Sequence, residues 1–276
     1  MLEMHRRVLT VVLYVSELDL ILTYHCCERS LEVAKQVLDL HFTLRSADSF
    51  ASFFRQRCFD SSARFLLDTA LIALLPTPTI AGHRAVYARL LDADPRNFSL
   101  TEASRTFLMM FDLWQYQEGT WPGFVIIIDM DQATMGHIRK LEIMTIKKIL
   151  YFVQECILTK LTGVHFHNAP HFVDKLMMLL RPFLKKELMD MMHIHPVGGG
   201  SIYDYILKEA FPIEDGGTYK KRDAIREETI KFLRANTAFF QEADKKRVDE
   251  TKRPGGKCDV LDEFGIQGSF KKLELD

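Results

Sequence analysis

Across residues 31–45 the apolar positions Leu31, Ala34, Val37, Leu38 and Phe42 recur at helical spacing, so roughly the first 70 residues read as a helical bundle. The pattern breaks at Leu75-Pro76-Thr77-Pro78. Beyond the break, residues 85–91 read as a strand and 101–116 as a helix; 124–128, introduced by Pro122-Gly123, is the clearest strand. Its unbroken apolar run predicts burial on both faces, as in a sheet covered by helices. Residues 141–156 then predict a helix with Leu141, Thr145, Ile149, Phe152, Val153 and Cys156 on one face. Residues 164–167 read as a second internal strand, and a helix opens after Asn168-Ala169-Pro170. That helix carries Phe172, Leu176, Leu179, Leu180 and Phe183 on one stripe, with Asp174, Lys175, Lys185 and Lys186 largely off it. Strand, helix, strand, helix in this order predicts an α/β layer with parallel neighbours. Gly198-Gly199-Gly200 reads as a loop and 223–247 as a charged helix with Ile225, Phe232, Leu233 and Phe240 inward; Arg253-Pro254-Gly255-Gly256 opens a loop-like tail.

Composition narrows the possible partners. The 36 basic and 37 acidic residues leave a formal charge of -1, so no global field draws the chain to nucleic acid or to an anionic membrane. The five cysteines show neither a CxxC pair nor a zinc-like spacing, which predicts reduced thiols in a cytoplasmic protein. Arg6 and Arg7 before the apolar run 8–15 faintly resemble a secretory signal, but no small-residue cleavage site follows. No run reaches the ~20 apolar residues that span a bilayer.

Candidate chemistry is sparse. His165 and His167 share one strand face and His193 and His195 repeat the spacing; with no acidic or cysteine ligand tied to either pair, packing or hydrogen bonding is expected, not a metal. Asp129 and Asp131, at the end of the strongest strand, are expected to form a turn with solvated carboxylates. Nucleophile-elbow, P-loop, dinucleotide-binding and zinc-protease motifs do not occur, so no catalytic residue is named and the chain is not expected to be an enzyme. The middle of the chain is rich in large soft residues such as Phe107, Met109, Met110, Phe111, Phe166, Met177 and Met178, which fill ordinary cores and also line apolar cavities.

Several ordered segments resemble the CRAL-TRIO lipid-binding family: Gly123-Phe-Val-Ile-Ile-Ile-Asp129, Gly136-His137, Gly163-Val-His-Phe-His-Asn-Ala-Pro170, Arg181-Pro-Phe-Leu184, His193-Ile-His195 and Phe211-Pro-Ile-Glu-Asp-Gly-Gly217. The tail Gly268-Ser-Phe-Lys-Lys-Leu-Glu-Leu-Asp276 is similar to the ending of arthropod members, and the resemblance runs from about Ser16 to the C-terminus. It implies a small all-helical N-terminal domain (1–72) and an α/β CRAL-TRIO domain (73–217) with a mixed, largely parallel sheet flanked by helices. A C-terminal helix and tail (218–276) follow. A mobile gate helix over one closed lipid pocket would fall at about 170–191.

Matched onto this sequence, the pocket lining is Phe107, Met110, Phe124, Ile128, Leu141, Ile149, Phe152, Val153, Ile157 and Val164, with Phe172, Leu176, Leu180 and Phe183 on the gate. The function implied is binding and transfer of a small hydrophobic ligand such as a retinoid, carotenoid or tocopherol. The alternative is a lipid-sensing interaction module without transfer. The expected protein is a cytoplasmic monomer with no cofactor and no nucleic-acid partner, touching membranes transiently through the gate.

Three departures stand out. The segment Tyr24-His-Cys-Cys-Glu-Arg-Ser30 lacks the usual arginine-bearing motif, after a short N-terminus, and Asp215 stands where an aromatic is usual. The positions at which phosphoinositide-exchanging relatives carry basic residues are Cys27, Gln36, Lys160, Thr162, Glu187 and Met191, of which only Lys160 is basic. Lys185 and Lys186, with Arg181, are the candidates for a displaced patch beside Lys160.

Overall fold

The computed structural model describes residues 15–253 together with Cys258 and Phe264. The N-terminal apolar run up to residue 14 and the 268–276 ending lie outside the described residues. Polar caps start the first helices. Ser16 and Asp19 form a reciprocal capping box on α1 (Glu17–Cys26), and the Ser30 hydroxyl accepts from Val33 N–H at the start of α2 (Leu31–Ser46). Leu20 of α1 packs on Ala34, Leu38 and Phe42 of α2, the helical stripe expected from the sequence. After α3 (Ala51–Phe54), α4 (Ser61–Thr69) is capped by Asp60 and passes into strand β1 (Ala70–Leu74) with no residue between.

Five strands follow one another in space as they do in the chain: β1, β2 (Arg84–Leu90), β3 (Phe124–Asp129), β4 (Leu161–Ala169) and β5 (Met192–Pro196). β1 is antiparallel to β2 and the other pairs are parallel, so the sheet is mixed and largely parallel, as expected. Helix α5 (Leu100–Glu118) links β2 to β3; α6 (Met135–Arg139) and α7 (Ile143–Glu155) link β3 to β4. The β4–β5 connection holds α8 (Val173–Leu180), a 3-10 turn (Arg181–Phe183) and α9 (Lys186–Asp190). Helices α10 (Arg222–Ala235) and α11 (Thr237–Ala243) close the described fold.

Several expectations are corrected here. The sheet begins at Ala70, inside the stretch read as helical, and β5 was not foreseen as a strand. The helix expected from residue 141 begins at Ile143, with Leu141 ahead of it, while Gly136 and His137 belong to a separate helix with its own Thr134–His137 box. The segment expected to form a gate helix is not one helix: Pro182 offers no N–H and cannot continue α8, so the segment breaks into α8, the turn and α9. The charged C-terminal helix likewise divides at Asn236.

The main core lies between one sheet face and α5, α7 and the N-terminal helices. Trp121 stacks on Phe124 at 5.3 Å between ring centres, and Phe152 meets Phe54 at 4.9 Å, tying α7 to α3. A buried ion cluster fastens the same layers. Asp112 of α5 accepts from Arg45 at 2.6 and 2.8 Å and from Arg57 at 2.6 Å. Burial alone would raise the Asp112 carboxyl; the two guanidiniums outweigh it and hold the group well below the carboxylate range. On the opposite face, Leu71, Tyr87, Val125 and Ile127 lie under Ile202, Ile206, Phe211 and Ile225. The turn at residues 213–217 fits closely: a Cβ on Gly217 would stand 2.0 Å from the Phe211 carbonyl oxygen.

Candidate functional site

Alternation along a strand sends every second side chain to the same face. Ile126, Val164 and Met192 therefore form one cross-strand row, and Ile128, Phe166 and Ile194 form the next. α8 lays Val173, Leu176 and Met177 over this surface, and Ile138, Leu141 and Leu150 close it from the α6–α7 side. The cover is incomplete. Ile128 keeps 36% and Ile194 42% of its surface, although both stand on the apolar face of a sheet. Each Å² of such surface covered by an apolar group is worth ~25 cal/mol. On the outer side of α8, Met178 is 63% exposed.

The expected site residues divide between two neighbouring clusters. Leu141, Val164, Phe172, Leu176 and Leu180 gather around the α8-covered surface, which Ile128 adjoins. Phe107, Met110, Phe124, Ile149, Phe152, Val153 and Ile157 pack in the main core, which meets the first cluster at Ile126 and Leu161. Phe183 is half-buried in the 3-10 turn, where its carbonyl accepts from Gln154 Nε2 at 2.9 Å. Sequence reasoning missed Ile126, Ile138 and Met192. Strict alternation through Phe124, Ile126 and Ile128 marks Ile126; Met192 needed β5 to be recognised.

A second cleft, of about 630 Å³, opens between the α1–α2 turn and the α7 and α9 segments, with Cys27, Val37, Cys156, Lys185, Glu187 and Met191 among its walls. Of the six positions singled out in the sequence, Cys27, Glu187 and Met191 line this cleft, and Gln36, Lys160 and Thr162 are not among its walls. Thr162 instead hydrogen-bonds His83 at 2.9 Å. The three candidate lysines each face a carboxylate: Lys160 meets Glu28 at 2.5 Å, Lys186 meets Asp190 at 2.9 Å, and Lys185 pairs with Glu155.

The opposite sheet face is polar at its carboxyl end. Arg89 binds Asp129, Asp131 and Asp215; Asp215 also takes Arg222, and Tyr87 donates to Asp129. Asn168 Nδ2 adds a donor to Asp129 at 3.0 Å. This corrects the expectation of solvated carboxylates: Asp129 is buried and fully engaged, and Asp131 alone of that pair reaches solvent. Burial pushes the Asp131 carboxyl up, but its bond to Arg89 and the cationic charge hold it below the usual range. Asp215 joins the two arginines, Arg89 and Arg222.

The histidines meet beside this cluster. His165 Nδ1 lies 2.9 Å from His195 Nε2, His195 Nδ1 lies 2.6 Å from Ser201 Oγ, and His193 stacks on His165 at 4.7 Å. Burial, reinforced by the neighbouring imidazoles, pushes His165 down to about 4. Among the described residues no group of three or more His, Cys, Asp or Glu is placed to hold a metal ion, and no helix is long and apolar enough to cross a membrane.

Comparison with known proteins identifies the chain's family. The family model described as CRAL/TRIO domain matches residues 69–217. Clavesin-1 of Rattus norvegicus is 29% identical over 131 residues, 47% of this chain and 37% of that protein. The mouse (Mus musculus) alpha-tocopherol transfer protein-like is 23% identical over 211 residues, 76% of this chain and 56% of that protein. The chain thus spans little more than a third of the clavesins and just over half of the tocopherol transfer protein-like relative. Among solved structures, that of Sfh5 aligns at a TM-score of 0.48 and 10% identity, covering 77% of this chain and 76% of that one.

Proposed function

This chain belongs to the CRAL/TRIO domain family, and from that premise we propose that it binds a small hydrophobic molecule against the α8-covered sheet face and transfers it between membranes. One observation carries the reading: Ile128 and Ile194 stand partly uncovered on either side of Phe166, on the apolar sheet face whose Val164 and Phe166 pack with α8. An apolar ligand completes the cover that α8 leaves open, and the stabilisation is the burial term less the cost of association. The same segment suits exchange at a membrane. Its inner stripe of Leu176, Met177 and Leu180 faces the sheet, and Met178 on the outer side meets a lipid surface without prior unfolding. The name of the alpha-tocopherol transfer protein-like relative supports a lipophilic cargo and does not choose one for this chain.

The test is transfer of a fluorescent lipophile between vesicles, with ligand binding measured separately. Leu176→Asp places a charge on the inner stripe and is expected to abolish both binding and transfer. Met178→Asp is expected to leave binding intact and slow transfer. Wild-type transfer by both variants overturns the gate assignment. Binding without any vesicle exchange by the unmodified protein makes the chain a lipid sensor instead of a carrier.

A further inference from the structure

The second cleft, of about 630 Å³, is lined by residues other than those of the surface under α8 except for Leu161 and Leu188, and its volume lies in the range of small-molecule sites. Most of its walls are apolar. Ile157 and Leu188 are buried there, Val37 and Met191 are half-buried, and Val33 keeps 47% of its surface. Cys26 and Cys156 continue the lining, since a free cysteine behaves as a small hydrophobe. An alkyl chain laid on these walls is covered by them and in turn covers Val33.

The charges on these walls do not cancel. Lys185 is held by Glu155, and Lys160, which is not among the walls, is held by Glu28. Glu187 lines the cleft, exposed, and makes no ion pair among the described residues. Two helices also end here: α1, whose C-cap is Cys27, and α7, whose C-cap is Cys156. A helix C-terminus carries the negative end of the macrodipole and favours a cation near its last turn. One uncompensated carboxylate and two helix ends thus give the cleft an anionic character above apolar walls.

We infer that this cleft is a binding site for a cationic single-chain amphiphile, an alkyl ammonium whose chain lies along the apolar walls and whose head stands beside Glu187. The chain supplies most of the affinity, because each CH₂ group fully buried strengthens binding about fourfold. The head supplies the selection: an ammonium answers Glu187 and the two helix ends, whereas a carboxylate on the same chain meets Glu187 as a like charge. A multiply phosphorylated head is opposed more strongly still. The inference does not rest on a ligand under α8, and the two sites are separable by experiment.

The experiment titrates the full chain, isotope-labelled at its methionine methyls, with decylammonium, decanol and decanoate below their micelle concentrations and follows the methyls by NMR. Met191 reports this cleft and Met177 the surface under α8. Decylammonium is expected to shift the Met191 methyl and to bind about fivefold more tightly than decanol and about tenfold or more above decanoate. Glu187→Gln, at an exposed position, should bring decylammonium to within about twofold of decanol and leave decanol unchanged. A Met191 methyl that stays still at saturation, decanoate bound as tightly as decylammonium, or an unaltered head-group preference in Glu187→Gln overturns the inference. A shift confined to Met177 also overturns it and leaves the reading of the α8 surface standing.

Discussion

The two faces of the sheet hold their partners by different means. On one, Ile126, Val164, Phe166 and Met192 meet α8 through non-directional contact; on the other, Arg89, Asp129, Asp215 and Arg222 are joined by directional charged hydrogen bonds. Burial of apolar surface is indifferent to which apolar atoms supply it, so a ligand can replace part of α8 at little loss. A buried carboxylate accepts no such substitute, because a lost partner leaves an uncompensated charge. On the proposed reading one face exchanges its cover, while the other fixes the 213–217 turn.

The largest effect should come from the polar face. Arg89→Met leaves Asp129 and Asp215 without their shared cation and is expected to destabilise the chain by ~3–5 kcal/mol, read as a shift in the urea midpoint. A shift within ~1 kcal/mol would place that cluster among dispensable surface ion pairs. On the apolar face, Val164→Trp overpacks a site that a ligand would share. It should cost only ~1–3 kcal/mol of stability while abolishing lipophile binding. Retained affinity would show that the ligand does not reach β4.

Acid should act through the buried histidines before it reaches the carboxylates. Burial, with Arg45, pushes His41 down to about 3, and His165 sits at about 4. Unfolded histidine titrates near pH ~6.5, above both folded values, so the unfolded chain takes up protons first as the pH falls. Stability is complete above about pH 6.5 and is lost as pH falls toward about 4 and 3, at ~1.4 kcal/mol for each unit of depression. Thermal midpoints measured across that window should drop, and His165→Gln should flatten the slope. A pH-independent midpoint would mean that the imidazoles are protonated in the fold.

The smallest effect is expected at the second cleft, where each lysine already faces a carboxylate. Vesicles containing bisphosphorylated phosphoinositide should recruit the chain no better than phosphatidylserine vesicles of matched charge. Strong, salt-sensitive enrichment on the phosphoinositide vesicles, removed by Lys185→Ala with Lys186→Ala, would relocate an anion site to this wall.

Legibility in the sequence followed locality. The run 124–128 announced β3 because strand and burial signals coincided, and the residues after Pro170 announced α8. β1 stayed hidden because Ala70 continues α4 without a turn residue, and the short apolar run there satisfies either period. β5 alternates with histidine at its inward positions, a pattern that reads as polar until β4 supplies its partners. Arg89 and Asp215 are 126 residues apart, and Cys27 reaches Glu187 only across the folded cleft, so no local spacing could reveal either. Half of the expected pocket residues turned out to serve the main core because a helix face shared with a core looks the same in sequence as one shared with a cavity.

The junction of Thr69 with Ala70 also has a mechanical side. A helix that becomes a strand without slack transmits torque, and the Arg45–Asp112–Arg57 cluster clamps the same helical layer to α5. The N-terminal layer and the sheet then move as one stiff frame. The 173–190 segment, with its break at Pro182, has no such clamp in its own run, so on the proposed reading a membrane would bend the cover before it deformed the frame.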